Sequence, residues 1–309
     1  MTSNAEAVAL AERAEARGQV RAGAPARDSS LARRILSAVL FLPLLYLLAR
    51  MGGLFYLGFT LLFIGLALRE FYLMLEAKGL RAHWKSGFLA ALLFPIGFYA
   101  RLRTQRTEEW HLAGLLTVLL IAMLLAELRR GASKQTLVNT SSTLLGVLYI
   151  GWLGSHVIAL RELPGTLHLP YARGMSFALL PFFLAWTCDT AAYLVGRTWG
   201  RHRLAPNVSP GKSIEGAVGG LLAAIAAGAV ARLWFAPYLT PVSALVLGLL
   251  VGVFAQLGDL VESLLKRDAE TKESSSLIPG HGGVLDRFDS ILFAAPLVYY
   301  FLLWEVFGR

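Results

Sequence analysis

The sequence predicts an all-α, polytopic transmembrane bundle of about nine spans with a polar site on its cytoplasmic side. Three observations predict it. Apolar residues make up 56% of the 309 positions, and the mean hydropathy of +0.58 lies well above that of an ordinary soluble chain. Apolar runs near the roughly 20 residues needed to cross about 30 Å of hydrocarbon recur from Ile35 to Trp304. Lysine and arginine collect in alternate connections between those runs, as the positive-inside tendency requires.

Residues 1–32 are polar, rich in Ala, Arg and Glu, and interrupted by Gly18, Gly23 and Pro25. They read as a flexible or marginally helical cytoplasmic tail. The stretch is too polar for a signal peptide, and Glu6, Glu12 and Glu15 fit a transit peptide poorly. The first apolar run carries no cleavage pattern, so it is expected to remain in the mature protein. Residues 33–309 then read as one integral-membrane catalytic domain. Candidate spans lie near 35–49, 53–70, 86–100, 111–127, 142–160, 174–195, 214–235, 240–258 and 288–306. Only Arg50-Met51-Gly52-Gly53 separates the first pair, so a tight hairpin and a re-entrant pair both fit. The eighth span runs on as an amphipathic helix towards Arg267.

With the N-terminus inside, nine spans put connections 71–85, 128–141, 196–213 and 259–287 in the cytoplasm. The first three are basic, through Lys78, Arg81 and Lys85; Arg129, Arg130 and Lys134; and Arg197, Arg201, Arg203 and Lys212. Arg101, Arg103 and Arg106 dissent on the outer side. The net charge of +9 is therefore read as basic cytoplasmic loops, not as a nucleic-acid footprint. The lone Cys188 excludes an intrachain disulfide and a thiolate zinc cluster. No repeat of period 20–50 stands out, nor any hydrolase triad or H-E-x-x-H zinc site.

Two of these loops carry chemistry, and the parity of the spans places both on one face. Ionisable residues are expensive beside lipid, so Asp189 within the sixth span should face the protein interior or a watery cavity. Asp189, Tyr193 and Gly196 share a helical face. Farther on comes Ser209-Pro210-Gly211-Lys212-Ser213-Ile214-Glu215-Gly216. Its Gly-Lys-Ser resembles part of a P-loop, but Pro206 stands where the first glycine is needed and no strand is expected before it. Lys212 and Ser213 instead open a helix, whose free N–H groups favour an anion. Gly216 and Gly220 form a small-xxx-small face that suits a homodimer or packing within one chain. In the last loop Asp259, Ser263 and Lys266 line one helical stripe beside Arg267. Lys272, the Pro279-Gly280-His281-Gly282-Gly283 turn, and Asp286, Arg287 and Asp289 at the mouth of the ninth span follow. Carboxylates hold hard cations, cations hold phosphates, and glycines let backbone N–H groups approach an anion. The combination points to phosphoryl or nucleotidyl chemistry at a membrane surface, with magnesium or another hard cation.

These residues resemble the signature of the phosphatidate cytidylyltransferases, the CDP-diacylglycerol synthases: S-x-x-K-R-x4-K-D-x-[GSA]-x2-[LIF]-[PG]-x-H-G-G-x2-D-R-x-D. The chain supplies Ser263, Lys266, Arg267, Lys272, Ser275, Ile278, Pro279, His281, Gly282, Gly283, Asp286, Arg287 and Asp289. Glu273 replaces the family's usual aspartate, a departure expected to be mild because the stretch from Ser274 to Ser276 is polar and adaptable. The resemblance is strong over about residues 180–290.

What the resemblance implies is transfer of the cytidylyl group of CTP to phosphatidate in a bilayer, giving CDP-diacylglycerol and pyrophosphate. On that expectation Asp259, Asp286, Asp289 and Asp189 bind Mg2+, with room for a second cation. Lys266, Arg267 and Arg287 hold phosphates, and Lys212 and Ser209 meet another phosphate from the first loop. His281 donates to a phosphate, Gly282 and Gly283 allow backbone approach, and Ser263 and Lys272 complete the substrate contacts. The expected setting is a bacterial inner membrane with the site facing the cytoplasm. The rival readings are a CTP-dependent lipid-alcohol kinase and a secondary transporter.

Overall fold

The computed structural model describes residues 28–104, 110–131, 135–271, 274–275 and 282–307. The chain divides into two compact units, Met1–Leu42 and Pro43–Arg309. In the first, residues 28–42 form the leading part of helix α1 (Asp28–Met51). The division falls at Pro43, whose ring removes a helix N–H.

Among the described residues the second unit is mainly helical, with one hairpin. It runs through α2 (Gly53–Ala77), α3 (Trp84–Thr104), α4 (Trp110–Arg130) and α5 (Thr136–Gly146). A π-helical turn, Val147–Trp152, leads into α6 (Leu153–Thr166) and then α7 (Arg173–Trp199). The hairpin β1 (Arg203–Ala205) and β2 (Ser209–Ser213) precedes α8 (Ile214–Trp234), α9 (Pro241–Asp268) and α10 (Leu285–Phe307). Helices are the expected answer to such apolar runs, because they satisfy every backbone group within the segment. Six helical segments among the described residues are long and apolar enough to cross a membrane: Gly53–Ala77, Thr136–Thr166, Arg173–Trp199, Ile214–Trp234, Pro241–Asp268 and Leu285–Glu305. They mark an integral membrane protein. The spans expected near 35–49, 86–100 and 111–127 coincide with α1, α3 and α4, whose described residues do not by themselves meet that standard.

Local chemistry sets several helix starts. Ser213 caps α8, its Oγ accepting from Gly216 N at 3.1 Å. Thr240 caps α9 by accepting from Ser243 N at 3.0 Å, with Pro241 at the first helical position, where its missing N–H is harmless. Glycines set the spacing of α7 and α8. A Cβ at Gly216 would stand 2.7 Å from Ala192 O, and one at Gly220 would stand 2.8 Å from Cys188 O. The glycine face of α8 is thus filled by α7 within the chain, and a second copy would need another surface. Cys188 is buried in the same contact, as a small packing residue.

The sequence reading left the 196–213 connection without strands, and the structure corrects this. Arg203 pairs with Ser213 and Ala205 with Ser209 in an antiparallel ribbon that delivers Lys212 to α8. A P-loop remains excluded, because the preceding strand is antiparallel and belongs to no βαβ unit.

A polar cluster locks the far end of the bundle. Arg161, 1% exposed, donates from Nε to Ala49 O at 2.6 Å and from Nη1 to Tyr171 O at 3.3 Å. Glu162 accepts from Gly53 N at 3.0 Å and from Tyr171 Oη at 2.8 Å. Arg103, one of the arginines that strain the positive-inside pattern, lies 3.9 Å from Glu162 Oε2 and over the Tyr171 ring. Gly52 alone separates α1 from α2, at a φ of 62° and hard against the Arg161 guanidinium. Gly52→Ala is expected to destabilise the fold by about 2 kcal/mol, through left-handed strain and displacement of Arg161. Thermal unfolding in detergent would measure this.

Candidate active site

At the opposite end, the last three turns of α9 present Asp259, Glu262, Ser263 and Lys266. Gly258 makes this possible. A Cβ there would stand 2.7 Å from Asp289 O, so only glycine lets the α10 backbone come so near. The outcome is a nest of three carboxylates, Asp259, Glu262 and Asp289, with one oxygen of each within 4.8 Å of the others. Glu262 is 1% exposed and Asp289 8%. Glu262 Oε1 has no hydrogen-bond partner.

Two lysines flank the nest. Lys212 Nζ, arriving on β2, lies 2.7 Å from Asp259 Oδ2. Lys266 Nζ lies 2.5 Å from Glu262 Oε2 and 2.7 Å from Asp286 Oδ1. The two loops, separate in sequence, therefore meet. Arg267 reinforces the join, its Nε donating to Val208 O at 3.2 Å. Ser263 Oγ is 3.4 Å from Asp259 Oδ1. Asp189 reaches the edge of the site from α7, accepting from Ser290 Oγ at 3.0 Å.

The start of α10 is organised by two acids. Asp286 accepts from Gly283 N at 2.8 Å, from Ser274 N at 3.1 Å and from Ser274 Oγ at 3.0 Å. An acid in the first turn answers both the free N–H groups and the helix dipole. Glu70 of α2, 1% exposed, accepts from Val284 N at 2.9 Å, Leu285 N at 2.8 Å, Ser274 Oγ at 2.9 Å and Ser275 Oγ at 2.6 Å. It clamps both flanks of the segment between Ser275 and Gly282.

The structure therefore brings Lys212, Asp259, Ser263, Lys266, Asp286 and Asp289 together, with Asp189 at the margin. Asp286 stands outside the carboxylate nest, and Lys266 is its partner. Arg287 is exposed at the start of α10, Arg267 is exposed beside the hairpin, and Ser209 opens β2. Gly282 adopts a φ of 76°, and buried Gly283 lies between Ser274 and Glu70. Lys272 and His281 lie outside the described residues. The sequence reading passes over Glu262 and Glu70. The spacing of Glu262, three residues after Asp259 and four before Lys266, was a usable signal, as was an acid within the apolar run of α2.

The nest has the chemistry of a cation site. Three carboxylates this close repel one another unless a cation or a proton lies among them, and all-oxygen donors suit a hard cation. A buried acceptor without a partner is the kind of atom a cation satisfies. The residues fit magnesium.

A family model described as "Cytidylyltransferase family" matches residues 32–304. The chain belongs to the cytidylyltransferase family. It is a nucleotidyltransferase of the membrane. A phosphatidate cytidylyltransferase of Synechocystis is 36% identical to it over 292 residues, covering 88% of this chain and 96% of that protein. One from Staphylococcus epidermidis is 31% identical over 269 residues, covering 87% and 96%. One from Bacillus subtilis is 37% identical over 158 residues, covering 51% of this chain and 56% of that protein. In this cytidylyltransferase, every side chain of the nest and both lysines fall inside the matched residues.

Proposed function

We propose that the protein transfers the cytidylyl group of CTP to phosphatidate, forming CDP-diacylglycerol and pyrophosphate. What supports this most is the convergence on one place of Lys212 from β2, Asp259, Glu262 and Lys266 from α9, and Asp286 and Asp289 from α10. A phosphatidate oxygen attacks the α-phosphorus of CTP, and the bond from that phosphorus to the pyrophosphate oxygen breaks. Phosphatidate is already anionic, so the reaction needs no strong base. Its difficulty is the meeting of two polyanions, which fixed positive groups overcome by electrostatic preorganisation. Magnesium held by Asp259, Glu262 and Asp289 would neutralise triphosphate charge and stabilise the leaving group. Lys212 and Lys266 bind phosphate oxygens, with Asp286 aiming Lys266. The acyl chains stay in the bilayer and reach the site sideways between helices. The site faces the cytoplasm of a bacterial inner membrane, where the nucleotide is supplied.

The test uses detergent-solubilised protein with phosphatidate, magnesium and α-labelled CTP. Label in a lipid product with pyrophosphate released is the expected result. Label recovered only as CDP when a lipid alcohol is supplied would establish a lipid kinase instead, and no lipid-dependent turnover of CTP would overturn both. Asp286→Asn keeps the bonds from Gly283 and Ser274 but removes the charge facing Lys266. It is expected to lower turnover by about 10²-fold in a folded protein, and near-normal turnover would remove Asp286 from the mechanism.

A further inference from the structure

The π-helical turn Val147–Trp152 breaks the helical ladder in the middle of a membrane-spanning segment. Such turns are uncommon and often occur where a side chain must be presented out of register. This one presents Tyr149. Its ring meets Phe293 edge-on, with centroids 6.4 Å apart. Phe293 lies one turn after Asp289 on α10, and a Cβ at Gly258 would stand 3.2 Å from the Phe293 ring. Tyr149 thus packs on Phe293, which in turn packs on Gly258 beside the carboxylate nest. It is 6% exposed, and its hydroxyl has no hydrogen-bond partner. Asp289, Glu262 and Asp259, the three members of the nest, each act electrostatically on that hydroxyl.

A buried donor without an acceptor is unfavourable, and native structures rarely keep one without a reason. We propose that the Tyr149 hydroxyl is a substrate contact, donating a hydrogen bond to a phosphate oxygen bound over Asp259, Glu262 and Asp289. This rests on the cytidylyl-transfer reading above. The phosphate oxygen could come from CTP or from phosphatidate, and the hydrogen bond is the same chemistry in both. The membrane-buried approach of Tyr149 also differs from that of Lys212 and Lys266, which enter from the hairpin and from the end of α9.

The test is Tyr149→Phe, which removes one oxygen and leaves the ring in place. Tyr56→Phe is the control, since Tyr56 carries another buried hydroxyl without a partner, on α2. For Tyr149→Phe the ligand-free unfolding temperature in detergent should stay level or rise, because no bond is lost. The kcat/KM should fall by about tenfold or more. The rise in unfolding temperature produced by magnesium with CTP, or by phosphatidate, should shrink for whichever substrate supplies the oxygen. Tyr56→Phe should change none of these. The inference is overturned if Tyr149→Phe leaves kcat/KM and both ligand-induced shifts intact. It is equally overturned if that variant lowers the ligand-free unfolding temperature, since the hydroxyl would then have a structural partner. Lack of lipid cytidylyl transfer by the unaltered protein would instead remove the underlying reading, so the two failures are distinguishable.

Discussion

Glu262→Gln is expected to reduce cytidylyl transfer by about 10³-fold while leaving the ligand-free protein as stable as before. The argument rests on what Glu262 does and does not touch. It is buried, its Oε1 has no hydrogen-bond partner, and its Oε2 pairs with Lys266, with the Asp286 carboxylate close by. A glutamine has the same shape, and removing one of three crowded negative charges relieves repulsion within the nest. Stability therefore has little to lose. Function loses more, because two remaining carboxylates hold a divalent cation less well than three. Two readouts check this: label transfer from α-labelled CTP to lipid, and the rise in unfolding temperature on adding magnesium. Both should collapse together. A variant that keeps its turnover would place the cation elsewhere.

Gly283→Ala should lower stability by about 3 kcal/mol and take much of the activity with it. A Cβ at this position would collide with Ser274 Oγ and come within 2.5 Å of Glu70 Oε2. Relief by retreat is blocked, because Glu70 is committed to Val284 N and Leu285 N and Ser274 to Asp286. The segment must move instead, and it carries the N–H that Gly283 donates to Asp286. Lys266 then loses its orientation. Thermal unfolding and turnover measured on one preparation would separate this from a purely catalytic defect. An alanine variant of wild-type stability would show that the clamp is slack.

The helices were legible because lipid leaves an apolar run few alternatives, and the start of α8 was legible from Ser213 as a cap. The meeting of the two loops followed from counting spans. Other features depend on contacts across the chain and carry weaker local signals. The ribbon of β1 and β2 contains Pro210 and Gly211, residues that argue for a loop; only the pairing of Arg203 with Ser213 makes it a strand. Glu262 is adjacent to the stripe of Asp259, Ser263 and Lys266, and helical spacing alone does not tell which acid α10 will approach. Asp286 and Asp289, three residues apart, look equivalent in sequence. In the fold one faces Lys266 and the other turns into the nest. Glu70 serves a segment some 200 residues away, so periodicity gives no sign of its partner.

Lys212 is paired with Asp259, and Lys266 with Glu262 and Asp286, so both lysines already have carboxylate partners while the cluster as a whole keeps an excess of carboxylates. On the proposed reading, loading the site would be an exchange of counter-ions. Each lysine would pass from a carboxylate to a phosphate, leaving Asp259 and Glu262 free to hold a metal. Substrate and metal would thus each clear a place for the other, and each would bind more tightly in the other's presence. A nucleotide arriving without a metal would meet lysines still paired with carboxylates. On that reading nucleotide and metal would bind as a cooperative pair.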